Sequence, residues 1–121
     1  MVLILGGKGA GKKAYARSLG YTDAQMSADP ASDAPVLLAL EAAVRNDPDG
    51  AGALLSLLRN KAVVLCCEVG SGVIPLDRKD RVYREAVGRL CCALAKEADA
   101  VVRVVAGIPV VLKGEPPCAS D

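Results

Sequence analysis

The stretch Val2-Leu3-Ile4-Leu5-Gly6-Gly7-Lys8-Gly9-Ala10-Gly11-Lys12-Lys13 decides the fold class of this chain. An apolar run leads into a glycine-rich loop, and Lys13-Ala14-Tyr15-Ala16-Arg17-Ser18-Leu19 follows with helical character. The reading is strand 2–5, loop 6–11 and helix 12–19, closed by Gly20. The spacing Gly6-x-x-x-x-Gly11-Lys12 is that of a phosphate-binding loop. Glycine has no Cβ, so such a loop turns tightly and brings its N–H groups up to a phosphate. The start of the helix then offers free N–H groups and the positive end of its dipole to the same anion. Gly6, Gly7, Lys8, Gly9, Ala10, Gly11, Lys12 and Lys13 are therefore the expected nucleotide-binding residues, with Lys12 reaching the outer phosphates. A structural turn with solvated lysines would show a similar octamer. Its place directly behind a buried-type strand favours the nucleotide.

The motif ordinarily ends in Ser or Thr, whose hydroxyl helps to hold Mg²⁺. Here the position is Lys13. A charged lysine cannot coordinate a metal and adds positive charge near it. Water and another side chain hold the ion, or catalysis is weakened; alternatively Lys13 simply points into solvent from the first helical turn.

The length of 121 residues suits one domain with one core, and 52% hydrophobic residues supply enough apolar surface to build it. There is no Phe or Trp, and the aromatic residues are Tyr15, Tyr21 and Tyr83. Single-strand nucleic-acid binders use stacking aromatics on a basic surface. A formal charge of +1 without a long basic run argues against one, so no nucleic-acid partner is expected. No apolar run reaches the length of a membrane span. The sequence opens on a short strand and the loop, so no signal peptide is expected. A cytoplasmic location is the expectation. Cys66, Cys67, Cys91, Cys92 and Cys118 lack the C-x-x-C spacing of zinc ribbons and thioredoxin-like sites. Small buried hydrophobes are their expected role, with redox or metal chemistry as the alternative. Histidine is absent, which removes a common general base, metal ligand and phosphoryl acceptor.

Further along, residues 21–34 read as a loop. Residues 35–45 read as a helix, with Asp33 as its cap and Pro35 in its first turn. Residues 46–50 form a turn, and 51–59 a shorter helix. The run Ala62-Val63-Val64-Leu65-Cys66-Cys67 suits a strand buried on both faces of a parallel sheet. It ends in Glu68-Val69-Gly70-Ser71-Gly72-Val73-Ile74-Pro75. A helix over 78–98 carries the apolar positions Val82/Tyr83, Ala86/Val87, Leu90/Cys91 and Leu94/Ala95. Asp80–Arg84 and Glu85–Arg89 are oppositely charged pairs at i,i+4. A strand over 100–105 follows, and 108–112 reads as a hairpin return or an edge strand, Pro109 favouring the edge. Strands alternating with helices give an α/β class: a three-layer, P-loop NTPase-like fold with a small, mainly parallel sheet. It forms one nucleotide-binding domain over 1–113, with a flexible tail over 114–121.

Ligands of such sheets bind at the carboxyl ends of the strands, so loop 6–13 and segment 68–75 are expected to share a cleft. Glu68 is the expected metal-holding and catalytic carboxylate, acting on the ion through water or polarising the attacking group. A surface loop glutamate is the alternative. Lys12 is the other expected catalytic residue.

Gly6 to Lys12, then Glu68-Val-Gly-Ser-Gly-Val-Ile-Pro75, then Arg81, Tyr83-Arg84-Glu85 and Gly88-Arg89, then Ala98-Asp99, Val102, Val105-Ala106-Gly107-Ile108-Pro109 and Lys113 together resemble the adenosylcobinamide kinase / adenosylcobinamide-phosphate guanylyltransferase family. The resemblance covers residues 1–20 and about 61–113. Residues 21–60 do not match the family's long forms, which carry extra strands and a histidine-bearing helix there, so the chain looks like a compact version. The resemblance implies a kinase that uses ATP or GTP with Mg²⁺ on adenosylcobinamide, in cobalamin biosynthesis, followed by GMP transfer. It also implies a homo-oligomer, as does the apolar composition. Glu68 and Gly70 would shape the metal and substrate side, while Arg81 and Arg84 would meet phosphates, pack, or pair on the surface. Four positions depart from the pattern. The family's serine is Lys13, its guanylylated histidine is absent, and two usual asparagines are Cys67 and Cys91. The kinase step is the expected activity, and a non-catalytic nucleotide-binding regulator or scaffold is the alternative.

Overall fold

The fold, obtained as a computed structural model, describes residues 1–46, 50–68 and 77–116. Strands β1 (Val2–Gly6), β2 (Met26–Ser27), β3 (Val36–Leu37), β4 (Val63–Cys67), β5 (Ala100–Val105) and β6 (Ile108–Lys113) form one sheet in the order β2-β3-β4-β1-β5-β6. All neighbours are parallel except β5 and β6. The helices are α1 (Lys12–Ser18), α2 (Leu40–Asn46), α3 (Ala51–Leu58) and α4 (Arg78–Glu97).

Strand alternation splits the core between the two faces of this sheet. Val2, Ile4, Val63, Leu65, Ala100 and Val104 pack with Ala16 of α1 on one face. Leu3, Val64, Cys66 and Val101 pack on the other, against Leu40, Val44, Leu58, Tyr83, Val87, Leu90 and Leu94 of α2, α3 and α4. The result is the expected three-layer α/β arrangement.

Helix α4 starts where the Asp77 carboxylate accepts the Asp80 N–H at 2.7 Å, an N-cap. Its buried stripe is Tyr83, Val87, Leu90 and Leu94. Val82, expected in that stripe, is 40% exposed. The pairs Asp80–Arg84 and Glu85–Arg89 form at 3.0 and 3.9 Å. The far end of α4 is capped by Lys113 of β6, whose amine donates to the carbonyls of Ala95 and Lys96.

Two expectations in the middle of the chain are corrected. The first half of the expected helix 35–45 is strand β3, and helix α2 begins only at Leu40. Asp33 therefore caps no helix, and Pro35 lies in no first turn. The Pro35 carbonyl instead accepts from the N–H groups of Ala62 and Val63 at 2.8 and 3.1 Å. Val36 and Leu37 are fully buried because they sit against β4 with one side chain in each half of the core. The buried Lys61 holds the approach to β3 by donating to the carbonyls of Ser32 and Ala34. The expected loop 21–34 contains a 3₁₀ turn at Asp23–Gln25 and strand β2, which pairs with β3.

Strand β6 is an antiparallel edge carrying Pro109, and all its residues are exposed. The two-residue turn Ala106-Gly107 has φ of 49° and 78°, the left-handed pair that a tight hairpin requires. Most of segment 68–75 and residues 117–121 of the expected tail lie outside the described residues.

Candidate active site

The glycine-rich loop sits on the central strand β1, between β4 and β5, at the carboxyl edge of the sheet. A Cβ at Gly6 would lie 2.7 Å from the Val104 carbonyl oxygen, so only glycine lets β1 pass β5 this closely. Gly11 has φ of 101°, a left-handed conformation that side chains resist, and it opens α1. The turn after β5 braces the loop: Gly107 N–H donates to the Ala10 carbonyl at 2.8 Å. Ala10 N–H closes back on the Gly7 carbonyl at 3.1 Å. Among the described residues, the N–H groups of Gly9 and Gly11 meet no acceptor. The Lys12 amine arches over the loop and donates to the carbonyls of Gly6 and Gly7 at 3.1 and 2.9 Å. Two of its three hydrogens are used, which leaves one for a further acceptor.

Lys13 is exposed and adds to the field that keeps Asp23 ionised. Asp23 is held below the usual carboxylate range first by its hydrogen bond from Arg17. Lys13 thus lies on the Asp23 side of α1. Lys8 is exposed as well.

Glu68 follows β4 and reaches the same edge. Its N–H donates to the Gly6 carbonyl at 2.9 Å, which sets it beside the first residue of the loop. Its carboxylate is engaged by Arg103 of β5: Nε lies 2.7 Å from Oε1 and Nη2 lies 3.1 Å from Oε2. Arg103 is opposite Leu5 in the β1–β5 register, so the ion pair bridges β4 and β5 across the end of β1. Arg103 was not among the expected site residues. Within an apolar strand it reads as an outward-facing charge, and its one signal is that it breaks the run Val101 to Val105.

Glu41 also escaped the sequence reading. It lies in the first turn of α2, and its carboxylate accepts the Cys67 N–H at 2.9 Å, next to Glu68. Arg81 is exposed, and the half-buried Arg84 pairs with Asp80 along α4. Gly70 lies outside the described residues. Cys66 and Cys91 face each other across β4 and α4 with their sulfurs 3.6 Å apart. The shared hydrogen and burial push the Cys66 thiol up, while Cys66 holds Cys91 below the usual thiol range.

Among the described residues, this donor set does not fit a resident metal ion. Position 13 offers an ammonium instead of a hydroxyl, and both Glu68 oxygens already serve a guanidinium. Among the described residues, no group of three His, Cys, Asp or Glu side chains is placed to hold a metal. No helix among them is long and apolar enough to cross a membrane.

Two relatives share partial similarity with this chain. The bifunctional adenosylcobalamin biosynthesis protein CobP of Pseudomonas aeruginosa is 39% identical over 62 residues, which is 51% of this chain and 36% of that protein. The bifunctional adenosylcobalamin biosynthesis protein CobU of Salmonella typhimurium is 43% identical over 53 residues, 44% of this chain and 29% of that protein. Each matched stretch spans about a third of the relative's length. The family model described as cobinamide kinase / cobinamide phosphate guanyltransferase matches residues 28–112. The match takes in much of the segment 21–60 that the sequence reading had set apart from the family. It starts beyond the glycine-rich loop, whose assignment therefore stands on its own spacing and geometry. With well over half of its length matched, the chain belongs to the cobinamide kinase / cobinamide phosphate guanyltransferase family.

Proposed function

We propose that the chain is a phosphotransferase that moves the terminal phosphoryl group of ATP or GTP onto adenosylcobinamide, in cobalamin biosynthesis. The observation that carries this reading is the braced loop at the carboxyl edge of β1, with the Lys12 ammonium arched over it. The family match favours a kinase over a non-catalytic regulator. In this reading Gly6, Gly7, Lys8, Gly9, Ala10, Gly11, Lys12 and Lys13 bind the phosphates, and Lys12 turns from its loop carbonyls toward them. Glu68 stands beside the acceptor hydroxyl. Mg²⁺ enters as part of the nucleotide substrate and not as a resident of the protein.

The second, guanylyl-transferring step is expected to be slow or absent in this chain. A covalent route needs an activated nucleophile, and histidine, the usual one in this family, does not occur in the sequence. A cytoplasmic location belongs to the same reading, since the free thiols Cys66, Cys67, Cys91 and Cys92 suit a reducing compartment. So does a homo-oligomer, supported by Ile108, Val110, Val111 and Leu112 exposed along the edge strand β6. A sedimentation profile showing only monomer would remove that part.

The test is transfer of label from γ-labelled ATP or GTP to adenosylcobinamide by the wild type and by Lys12→Ala. The wild type is expected to transfer label and the variant to lose at least about tenfold in triphosphate affinity, the scale of one charge-assisted contact. Unchanged affinity in a folded Lys12→Ala variant would sink the phosphate-loop reading. With α-labelled GTP, acid-labile label left on the protein would contradict the absence of a covalent guanylyl step.

A further inference from the structure

The side chains of two cysteine doublets, Cys66-Cys67 and Cys91-Cys92, have no part in the proposed kinase reaction. The fold selects one sulfur from each. Alternation along β4 turns Cys66 into the core shared with α4 and Cys67 to the other face. On α4, Cys91 packs against that same core, while Cys92, one residue further round the helix, is exposed. Cys66 is 1% exposed, and Cys91 beside it is partly exposed. Their sulfurs lie 3.6 Å apart, although 25 positions separate them in the sequence. A disulfide bond is about 2.05 Å long, so each sulfur needs to move by less than about 1 Å to form one. Among the described residues, no third His, Cys, Asp or Glu completes a metal-holding group with the pair.

The two sulfurs are unequal. Contact with Cys66 holds the Cys91 thiol below its usual range, although burial and the Glu41 carboxylate act the other way. The hydrogen bond with Cys91, burial and the Glu41 charge all push the Cys66 thiol up. The thiolate is the form of cysteine that attacks an oxidant. The partly exposed Cys91 is therefore the sulfur that meets one, and the buried Cys66 is placed to resolve the product.

We infer that Cys66 and Cys91 form a redox modification site, where a small hydroperoxide converts the two thiols into an intramolecular disulfide that a reducing thiol reopens. In the first step the Cys91 thiolate attacks one oxygen of the hydroperoxide. An S–O bond forms, the O–O bond breaks, and the leaving oxygen takes up the proton that Cys91 released. In the second step the Cys66 sulfur attacks the Cys91 sulfenic acid. The S–S bond forms, the S–O bond breaks, and the oxygen leaves as water with the Cys66 proton. The two sulfurs together lose two electrons, and the hydroperoxide gains them. The new bond ties the end of β4, just before Glu68, to the middle of α4. This site stands independently of the nucleotide reading.

The test is oxidation of the whole reduced chain with a slight molar excess of hydrogen peroxide, then alkylation of the remaining thiols in denaturant and peptide mapping by mass spectrometry. Of the five cysteines, two are expected to escape alkylation, in a peptide pair joined through Cys66 and Cys91. Dithiothreitol is expected to return all five to the alkylated form. In Cys66→Ser, dimedone, which traps sulfenic acids, is expected to label Cys91, whereas Cys91→Ser leaves Cys66 unlabelled. A disulfide through Cys67, Cys92 or Cys118 in place of this pair overturns the inference. So do five alkylated cysteines after peroxide, or a loss that dithiothreitol does not reverse. Dimedone on Cys66 in Cys91→Ser, or none on Cys91 in Cys66→Ser, overturns Cys91 as the sulfur that meets the oxidant. Thermal unfolding of the reduced variants shows whether each folds. If Cys66→Ser does not, the wild-type map and Cys91→Ser decide.

Discussion

The glycine-rich loop and the Glu68–Arg103 bridge meet at the carboxyl end of β1, but different forces hold them. The loop is a backbone object. Gly6 passes the Val104 carbonyl with no room for a side chain, Gly11 takes a left-handed turn, and Gly107 ties Ala10 down through a main-chain hydrogen bond. The bridge is a side-chain object, two opposite charges on separate strands that close a fork over β1. Its partners are 26% and 49% exposed, so water screens it and its share of stability is small. The difference teaches where each region tolerates change. A methyl group at Gly6 breaks the loop, whereas the bridge can lose a partner and leave the fold standing.

Three changes break or sharpen this contrast. The largest effect is expected from Gly6→Val. A Cβ 2.7 Å from a strand carbonyl must push β1 and β5 apart, at a cost of about 2 kcal/mol or more. Urea unfolding measures it, and wild-type stability in the variant would show that close backbone approach does not shape the loop.

A smaller effect is expected from Lys13→Ser. Because Lys13 is exposed on the Asp23 side of α1, nucleotide affinity in Mg²⁺ should move by less than about threefold. A gain of about tenfold would mean that the restored hydroxyl completes a metal site, against the misfit of the donor set to a resident ion.

The smallest effect is on acid stability. Hydrogen bonds from Arg17 and Arg59 hold the carboxyls of Asp23 and Glu97 below their ordinary range. A carboxyl whose folded pKa is lowered stabilises the fold above its unfolded pKa and loses that contribution as the pH falls through the folded value. The arginines stay charged, so no matching loss occurs on the alkaline side. Melting temperatures of the wild type and Asp23→Asn, compared between about pH 6 and about pH 3, should differ slightly at the upper end and converge at the lower. A gap that widens toward acid would show that the pair does not act through ionisation.

The unit β1, loop and α1 was legible in the sequence because its signals are local. An apolar run, glycines at fixed spacing and a lysine need no distant partner to be read. Helix α4 was legible for the same reason, since its 3.6-residue stripe and its charge pairs all lie within one segment, while its cap at Asp77 was seen only in the structure. Tertiary structure alone decided the rest. Val36 and Leu37 sit in a run that reads equally well as helix, and they became strand because Pro35 found the N–H groups of Ala62 and Val63 across the sheet. Short apolar runs carry no period of their own, so burial against a neighbour settles them. Glu68 was found as a residue but not as half of a pair, because Arg103 lies on another strand and only the β4-β1-β5 order brings the two charges together. Charge pairing across strands depends on register, and register is a property of the assembled sheet.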